Sequence, residues 1–284
     1  MQQASLEAGL CVLSSSSSGN CSLLAVRRGD LTTTILIDAG LSPRRTRRHL
    51  AEIGHPVSTV DHIILTHLDR DHWYEGWING RDEHTTIHVH RRHAGLADRL
   101  GVTAGRTQVF SEPFELLPGV MVHPLLVAHD SLGTAAFRIE FPASGRTLGY
   151  ATDTGRPSQE LCDHLRGVDV LAIESNYCPK MQLASNRPEQ LKQRIMGGKG
   201  HLSNEESARA VARIEPRETV VLLHLSRQCN LPQRALEVHA RPGPPVMVSH
   251  HDRPAAWVRV VDPAREVARS EVRVVRPAVT LWGP

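Results

Sequence analysis

The sequence predicts a mixed α/β fold, and three observations carry that expectation. Short runs of β-branched and aliphatic residues alternate with stretches of helical pattern along the chain. Five apolar runs end on, or just before, an Asp or a His: Thr34 to Ile37 before Asp38, Ile63 to Leu65 before His67, Leu125 to Ala128 before His129, Leu148 to Thr152 before Asp153, and Val220 to Leu223 before His224. No linker of Pro, Gly or Ser divides the 284 residues, of which 40% are hydrophobic, enough for a substantial core. The run Ser14 to Ser18 is too short to act as a spacer, so a single domain over 1–284 is expected.

Leu10 to Leu13 and Ser22 to Val26 read as hairpin strands joined by the serine run and Gly19-Asn20, with Thr32 to Asp38 as a third. Pro43 to Ile53 reads as a helix, with Pro in its first turn and Gly54 just past its end. The strand Asp61 to Leu65 runs into a charged loop, and a helix is expected to start near Asp71, whose carboxylate suits an N-cap. Ile87 to Val89 is a strand and Arg91 to Leu100 a helix. Val120 to Val127, Thr134 to Phe141 and Arg146 to Thr152 are strand-rich and would begin a second sheet. A helix near Ser158 to Leu165 leads to the strand Val168 to Ile173, and the helix Pro188 to Met196 is stopped by Gly197-Gly198. Ser203-Asn204-Glu205-Glu206 has the spacing of a capping box at the head of a helix to Ile214. Thr219 to Leu223 is then the strand that delivers His224. The segment 254–284, with strand-like Ala256 to Val261 and Glu271 to Val275, is expected to be covering structure.

The richest chemistry sits in Thr66-His67-Leu68-Asp69-Arg70-Asp71-His72, four potential ligands within six residues directly after Ile63-Ile64-Leu65. Imidazole and carboxylate are what divalent zinc, manganese and iron take, and the spacing His-x-Asp-x-Asp-His puts alternate side chains on one side of a loop. The bland alternative is a charge-rich surface loop.

With Asp38, His129, Asp153 and His224 following in the right order, this cluster resembles the metallo-β-lactamase superfamily, whose signature is His-x-His-x-Asp-His after a short strand and Thr. The resemblance implies a four-layer αβ/βα sandwich with the site at one edge between the sheets. It also implies two divalent ions, zinc, manganese or iron: one held by His67, Asp69 and His129, the other by Asp71, His72 and His224, with Asp153 bridging them. Asp38 would orient a ligand histidine or the ligand loop. Such a pair, roughly 3.5 to 4 Å apart, holds a bridging hydroxide and supports hydrolysis. One residue departs from the pattern: Asp69 stands where the family has its second His, and this harder oxygen donor shifts preference from zinc toward manganese or iron.

Further motifs resemble the WalJ/YycJ-type DNA exonucleases of that superfamily: Leu13 to Cys21, Ala151 to Gly155, Ala172 to Tyr177, Gly200 to Asn204 and Leu223 to Asn230, within a resemblance running from about Leu10 to about Arg253. This likeness implies a phosphodiesterase acting on nucleic acid. His201 would donate a proton to the leaving oxygen, Glu174 would orient it, and the ligand Asp71 would complete the catalytic set. Ser203 and Asn204 would offer hydroxyl, amide and backbone N–H groups to a phosphate, although the same residues make an ordinary helix cap. Asn20 would bond an adjacent ligand loop or the substrate. Trp73, Tyr74 and Trp77 either stack on a base or pack as core. The alternatives are a small-molecule hydrolase acting on a cyclic phosphodiester, lactone or thioester, and a non-catalytic metal-binding scaffold.

A net charge of +3 is compatible with a polyanionic substrate without requiring one. Arg44, Arg45, Arg47 and Arg48, and again Arg91 and Arg92, are either solvated helix faces or a rim that attracts phosphates. The 5 Cys are scattered without a Cys-x-x-Cys pair, so no disulfide framework or disulfide-linked partner is expected. Met1 to Leu10 lacks the basic-then-apolar pattern of a leader and no run of eighteen apolar residues occurs, which predicts a cytoplasmic protein with no membrane partner. The 17 His outnumber the 4 Phe, 4 Trp and 3 Tyr together. Most of those outside the constellation are expected to be exposed or satisfied in the fold, and His88, His90 and His93 could form a second site.

Overall fold

Alternation in the first three strands sorts side chains between two buried surfaces. In β1 (Leu6–Ser14), β2 (Cys21–Arg28) and β3 (Leu31–Ile37), the residues Leu10, Val12, Leu24, Val26, Ile35 and Ile37 face one core. Their neighbours Cys11, Leu13, Cys21, Leu23 and Leu36 face another, as the two-residue period of a strand requires. The computed structural model describes residues 5–56 and 59–262.

The chain continues through α1 (Pro43–Glu52), β4 (His62–Ile64), α2 (Trp77–Gly80), β5 (Thr86–His90), α3 (Ala94–Arg99), β6 (Thr107–Phe110), β7 (Phe114–Leu117), β8 (Val120–Val127), β9 (Thr134–Phe141) and β10 (Arg146–Ala151). The described residues go on through α4 (Gln159–His164), β11 (Val170–Glu174), α5 (Pro179–Ala184), α6 (Glu189–Met196), α7 (Asn204–Ile214), β12 (Thr219–Leu223), α8 (Pro232–His239), β13 (Val246–Val248) and β14 (Val258–Val261). Two seven-stranded sheets result, ordered β14-β1-β2-β3-β4-β5-β6 and β13-β12-β11-β10-β9-β8-β7. The shared core between them joins Leu10, Leu24 and Ile37 to Phe137, Ile139, Tyr150 and Val221. The outer face of the first sheet is covered around Leu50, Trp77 and Ala97 from α1, α2 and α3. That of the second is covered around Leu161, Ala210 and Ala235 from α4, α7 and α8. Helices, sheet, sheet and helices make the expected four-layer αβ/βα sandwich.

β3 to β6 run parallel, as do β10 to β13, and β8 points the same way as β10 because β9 is antiparallel to both. The loops that follow β3 and β4, and those that follow β8, β10, β11 and β12, therefore open at strand carboxyl ends, where sites in α/β sheets form.

Three expectations are corrected. No helix starts at Asp71. The backbone there bonds sideways instead, Asn20 N to Asp71 O at 2.6 Å and Ala39 N to His72 O at 2.8 Å, so helix begins only at Trp77. The helix expected over Arg91 to Leu100 is split into a 3-10 turn at Arg91–His93, capped by His90, and α3. The strand expected within Ala256 to Val261 is not mere covering: β14 pairs antiparallel with β1 and completes the first sheet. Glu271 to Val275 lies outside the described residues. β6, β7, β13, α5 and α8 carried too short a pattern to be read from the sequence.

Among the described residues no helix is long and apolar enough to cross a membrane, and the cysteines are unpaired. Phe137 is fully buried in the shared core, with its ring 6.0 Å from that of Phe110. Phe137→Ala should destabilise the protein by about 3–5 kcal/mol, read as a lower urea midpoint at unchanged m-value.

Candidate metal centre

Asp38, Asp153 and His224 each end a strand with φ of 61°, 50° and 55°. Such left-handed backbone costs a non-glycine residue roughly 1–3 kcal/mol and is found where surrounding structure imposes it, often at functional sites. Here it directs Asp153 and His224 to the wall of a cavity and Asp38 against the back of the ligand loop.

The ligand loop is fixed from behind. Asp38 accepts from Thr66 N at 2.8 Å and Thr66 Oγ1 at 2.9 Å, and its other oxygen lies 2.7 Å from His72 Nδ1, leaving His72 Nε2 to face the pocket. His67 Nδ1 sits 3.0 Å from Thr66 Oγ1, and His129 Nδ1 donates to Gly200 O at 3.0 Å. In each case the distal nitrogen is the one left over. Asp38→Asn removes the charge that orients His72 and is expected to weaken metal affinity about 10- to 100-fold, read by competition with a chelating dye.

Among the described residues three donor groups result, each with ligand atoms within 4.8 Å of one another: Asp71, His72, Asp153 and His224; His67, Asp69 and His129; and, overlapping the first, Asp153, Glu174, His201 and His224. Asp153 links the first two: its Oδ2 is 3.7 Å from His67 Nε2 and in contact with His72 Nε2, while Oδ1 contacts His224 Nδ1. Both Asp153 oxygens and both His224 ring nitrogens are buried without a hydrogen bond of good geometry. Convergent, buried, unsatisfied donors of this chemistry fit divalent cations. Asp69 is half exposed, its Oδ2 3.8 Å from His67 Nε2 and 3.9 Å from His129 Nε2.

Electrostatics agree. Burial opposes charge on His72, but Asp153, Asp38 and Asp71 outweigh it and hold this imidazole well above its ordinary pKa. Burial likewise opposes charge on His224, and Asp153 outweighs it. Burial disfavours the Asp153 carboxylate, yet His224 and His72 keep it well below the usual range. His67 is driven the other way, by burial and then by His72. Protons and cations compete for the same atoms, so metal uptake should release protons.

Beside this cage, His201 Nδ1 lies 2.7 Å from Glu174 Oε1 and 3.0 Å from Asp153 Oδ1. The other Glu174 oxygen accepts from Thr154 N at 2.9 Å and Leu202 N at 3.2 Å, so the fully buried carboxylate is clamped. Burial resists a charge on His201, but Glu174 and Asp153 push its pKa up to about 9. Its Nε2 is left for the cavity.

That cavity, about 400 Å³, is lined by His67, Asp69, Asp71, His129, Asp153, His201 and His224. Arg187 just before α6, Leu191, Arg194 and Ile195 along it, and Ser226 and Gln228 after β12 also line it, and none of the six was singled out as a site residue from the sequence. Ser226 and Gln228 lie inside the Leu223 to Asn230 motif, and the other four precede the Gly200 to Asn204 motif with no pattern of their own. Ser203 and Asn204 do not line the cavity. Ser203 forms the capping box with Glu206, and the Asn204 amide bonds Ser175 and Asn230. Asn20 is buried, its Nδ2 3.2 Å from Asp71 Oδ2 and 2.9 Å from His72 Nε2, which braces the ligand loop.

Trp73 and Trp77 are core residues, and only Tyr74 of that trio is substantially exposed. His88, His90 and His93 do not converge: His88 stacks on Phe114, His90 caps Arg92 N, and His93 Nε2 bonds Gly133 O at 3.0 Å. His49, His55 and His239 are buried and hydrogen-bonded within the fold.

Comparison with known proteins gives the family and the fold. A family model described as "Beta-lactamase superfamily domain" matches residues 33–225. The chain is 27% identical over 238 residues to "Exodeoxyribonuclease WalJ" of Streptococcus pneumoniae, covering 79% of this chain and 84% of that protein. The metallo-beta-lactamase fold protein YhfI from Bacillus subtilis superposes with a TM-score of 0.67 at 15% identity, over 89% of this chain and 99% of its own. Zn(2+)-bound PqqB from Methylobacterium extorquens gives 0.65 at 19% identity, over 87% and 99%.

Proposed function

Since the chain belongs to the beta-lactamase superfamily and is a metal-dependent hydrolase, we propose that it hydrolyses phosphodiester bonds of nucleic acid, as an exonuclease-like enzyme with a dinuclear site. The observation that carries this reading is the Glu174–His201 pair on the wall of the cavity that holds the metal donors. A phosphodiester needs a proton delivered to its leaving oxygen, and the pair supplies a positioned imidazole for it. Lactones and thioesters make less use of such a donor. The similarity to a named exodeoxyribonuclease supports DNA as the polymer.

His67, Asp69 and His129 would hold one cation, and Asp71, His72 and His224 the other, with Asp153 shared; Asp69 favours manganese or iron over zinc. When bound, the cations supply Lewis acidity and activate water for an in-line displacement. The chain's own residues do the rest. Glu174 fixes the His201 ring and keeps it charged, Nε2 carries the proton toward the leaving oxygen, and Asn20 and Asp38 keep the ligand loop from relaxing.

The test is cleavage of end-labelled single- and double-stranded DNA and RNA by manganese-loaded protein, with and without chelator. A chelator-sensitive product ladder supports the reading. Hydrolysis of a bis-aryl phosphodiester without any cleavage of polymer would replace it with a small-molecule phosphodiesterase.

A further inference from the structure

Arg187, in the turn between α5 and α6, projects onto the wall of the cavity that contains the metal donors. Its guanidinium is held by three neutral acceptors. Nε donates to Gln228 Oε1 at 3.1 Å, one Nη to Gln182 Oε1 at 3.1 Å, and the other Nη to Ser226 Oγ at 3.3 Å. A guanidinium carries five N–H donors. Three are engaged, which leaves one on each Nη, the paired arrangement that grips a phosphate.

The charge is also left over. Among the described residues no carboxylate lies within ion-pair distance of Arg187, whereas Arg194 on the same wall is paired with Asp130 and Arg146 with Asp169 and Glu218. The platform is built in advance. Gln182 is fully buried, Ser226 accepts from Cys229 N at 3.2 Å, and Cys178 N bonds Cys229 O at 2.8 Å. Two of the three acceptors sit on the segment that follows His224, so the guanidinium is registered to the ligand cage rather than to loose surface. Leu191 and Ile195, one helical turn apart, add an apolar strip to the same wall.

We propose that Arg187 grips a second phosphate of the substrate, the one flanking the bond that is cleaved, and so selects nucleic acid over phosphodiesters that carry a single phosphate. The inference rests on the phosphodiesterase reading above, and it adds a subsite outside the metal and proton-donor groups.

Calorimetric binding to the manganese-loaded full chain tests it without turnover, using thymidine 3′,5′-bisphosphate against thymidine 5′-monophosphate. Wild-type protein should bind the bisphosphate about tenfold more tightly. Arg187→Gln should abolish that preference, Arg187→Lys should keep part of it, and Arg209→Gln, which removes an exposed charge from α7, should leave it intact. If Arg187→Gln proves misfolded by circular dichroism, Gln228→Ala must reduce the preference in its place. Equal binding of both nucleotides by the wild type, or a preference that survives Arg187→Gln or Gln228→Ala, overturns the proposal. Loss of the preference in Arg187→Gln while the wild type cleaves no polymer would leave the grip standing and remove the nuclease reading instead.

Discussion

Asp153→Ala is expected to lower hydrolysis by roughly a thousandfold or more and to leave the protein with less bound metal than the wild type. The reason is position. Among the described residues Asp153 is the carboxylate whose two oxygens reach toward both cation sites, His67 and His72 through Oδ2 and His224 and His201 through Oδ1. It is nearly inaccessible to water, so its loss removes the buried counter-charge that His72, His224 and His201 share and leaves them only Asp38, Asp71 and Glu174. Metal content after gel filtration, measured by plasma emission beside the rate on a phosphodiester, checks both halves. Wild-type metal content in the variant would refute the shared-ligand role, and unchanged rate would refute a role for the cage in catalysis.

His201→Ala is expected to lower turnover about 10²- to 10⁴-fold while metal content stays at the wild-type level. Its polar link to the cage is through Asp153, its ring packs edge-on to His224 at 5.1 Å, and its other nitrogen faces the cavity. The loss should depend on the leaving group: an aryl oxide that departs without a proton should suffer least, and an alkoxide such as a nucleoside oxygen most. Glu174→Gln should follow the same ordering at smaller amplitude, because the amide still holds the ring but no longer favours its charge. An equal loss for both leaving groups would argue that His201 shapes the cavity instead of delivering a proton.

The parts of this molecule that were readable in advance share a physical property: each is dictated by a local pattern. The hairpin strands follow from two-residue alternation, α1 from Pro43 and Gly54, and α7 from its capping box. The ligand loop was legible because metal chemistry permits few residue types and demands them close together. What escaped was set by long-range contact. The helix expected at Asp71 fails because backbone groups there are claimed by Asn20 and Ala39, far away in the chain. Ser203 and Asn204 could serve a phosphate or a helix cap by pattern alone; Ser203 makes the local cap with Glu206, while only the tertiary partners Ser175 and Asn230 reveal where the Asn204 amide is spent. Arg187 could not be singled out among the 33 Lys and Arg, since its distinction is the lack of an acidic neighbour in space.

The pairing of β14 with β1 has a meaning in time. Ser15 donates its backbone N–H to His250 O and accepts the backbone N–H of His224 on its hydroxyl, at 2.8 Å in both cases, while Ala255 N donates to Val12 O at 2.8 Å. The serine loop that steadies His224 is thus itself clamped by residues 250–261, which leave the ribosome after every side chain of the site has been made. A nascent chain of some 240 residues holds all the ligands yet lacks the clasp that closes them. The cage is in this way braced by a segment later in the chain than any of its side chains, and removing the Ala255 and β14 contacts is expected to lower the melting temperature and the hydrolytic rate together.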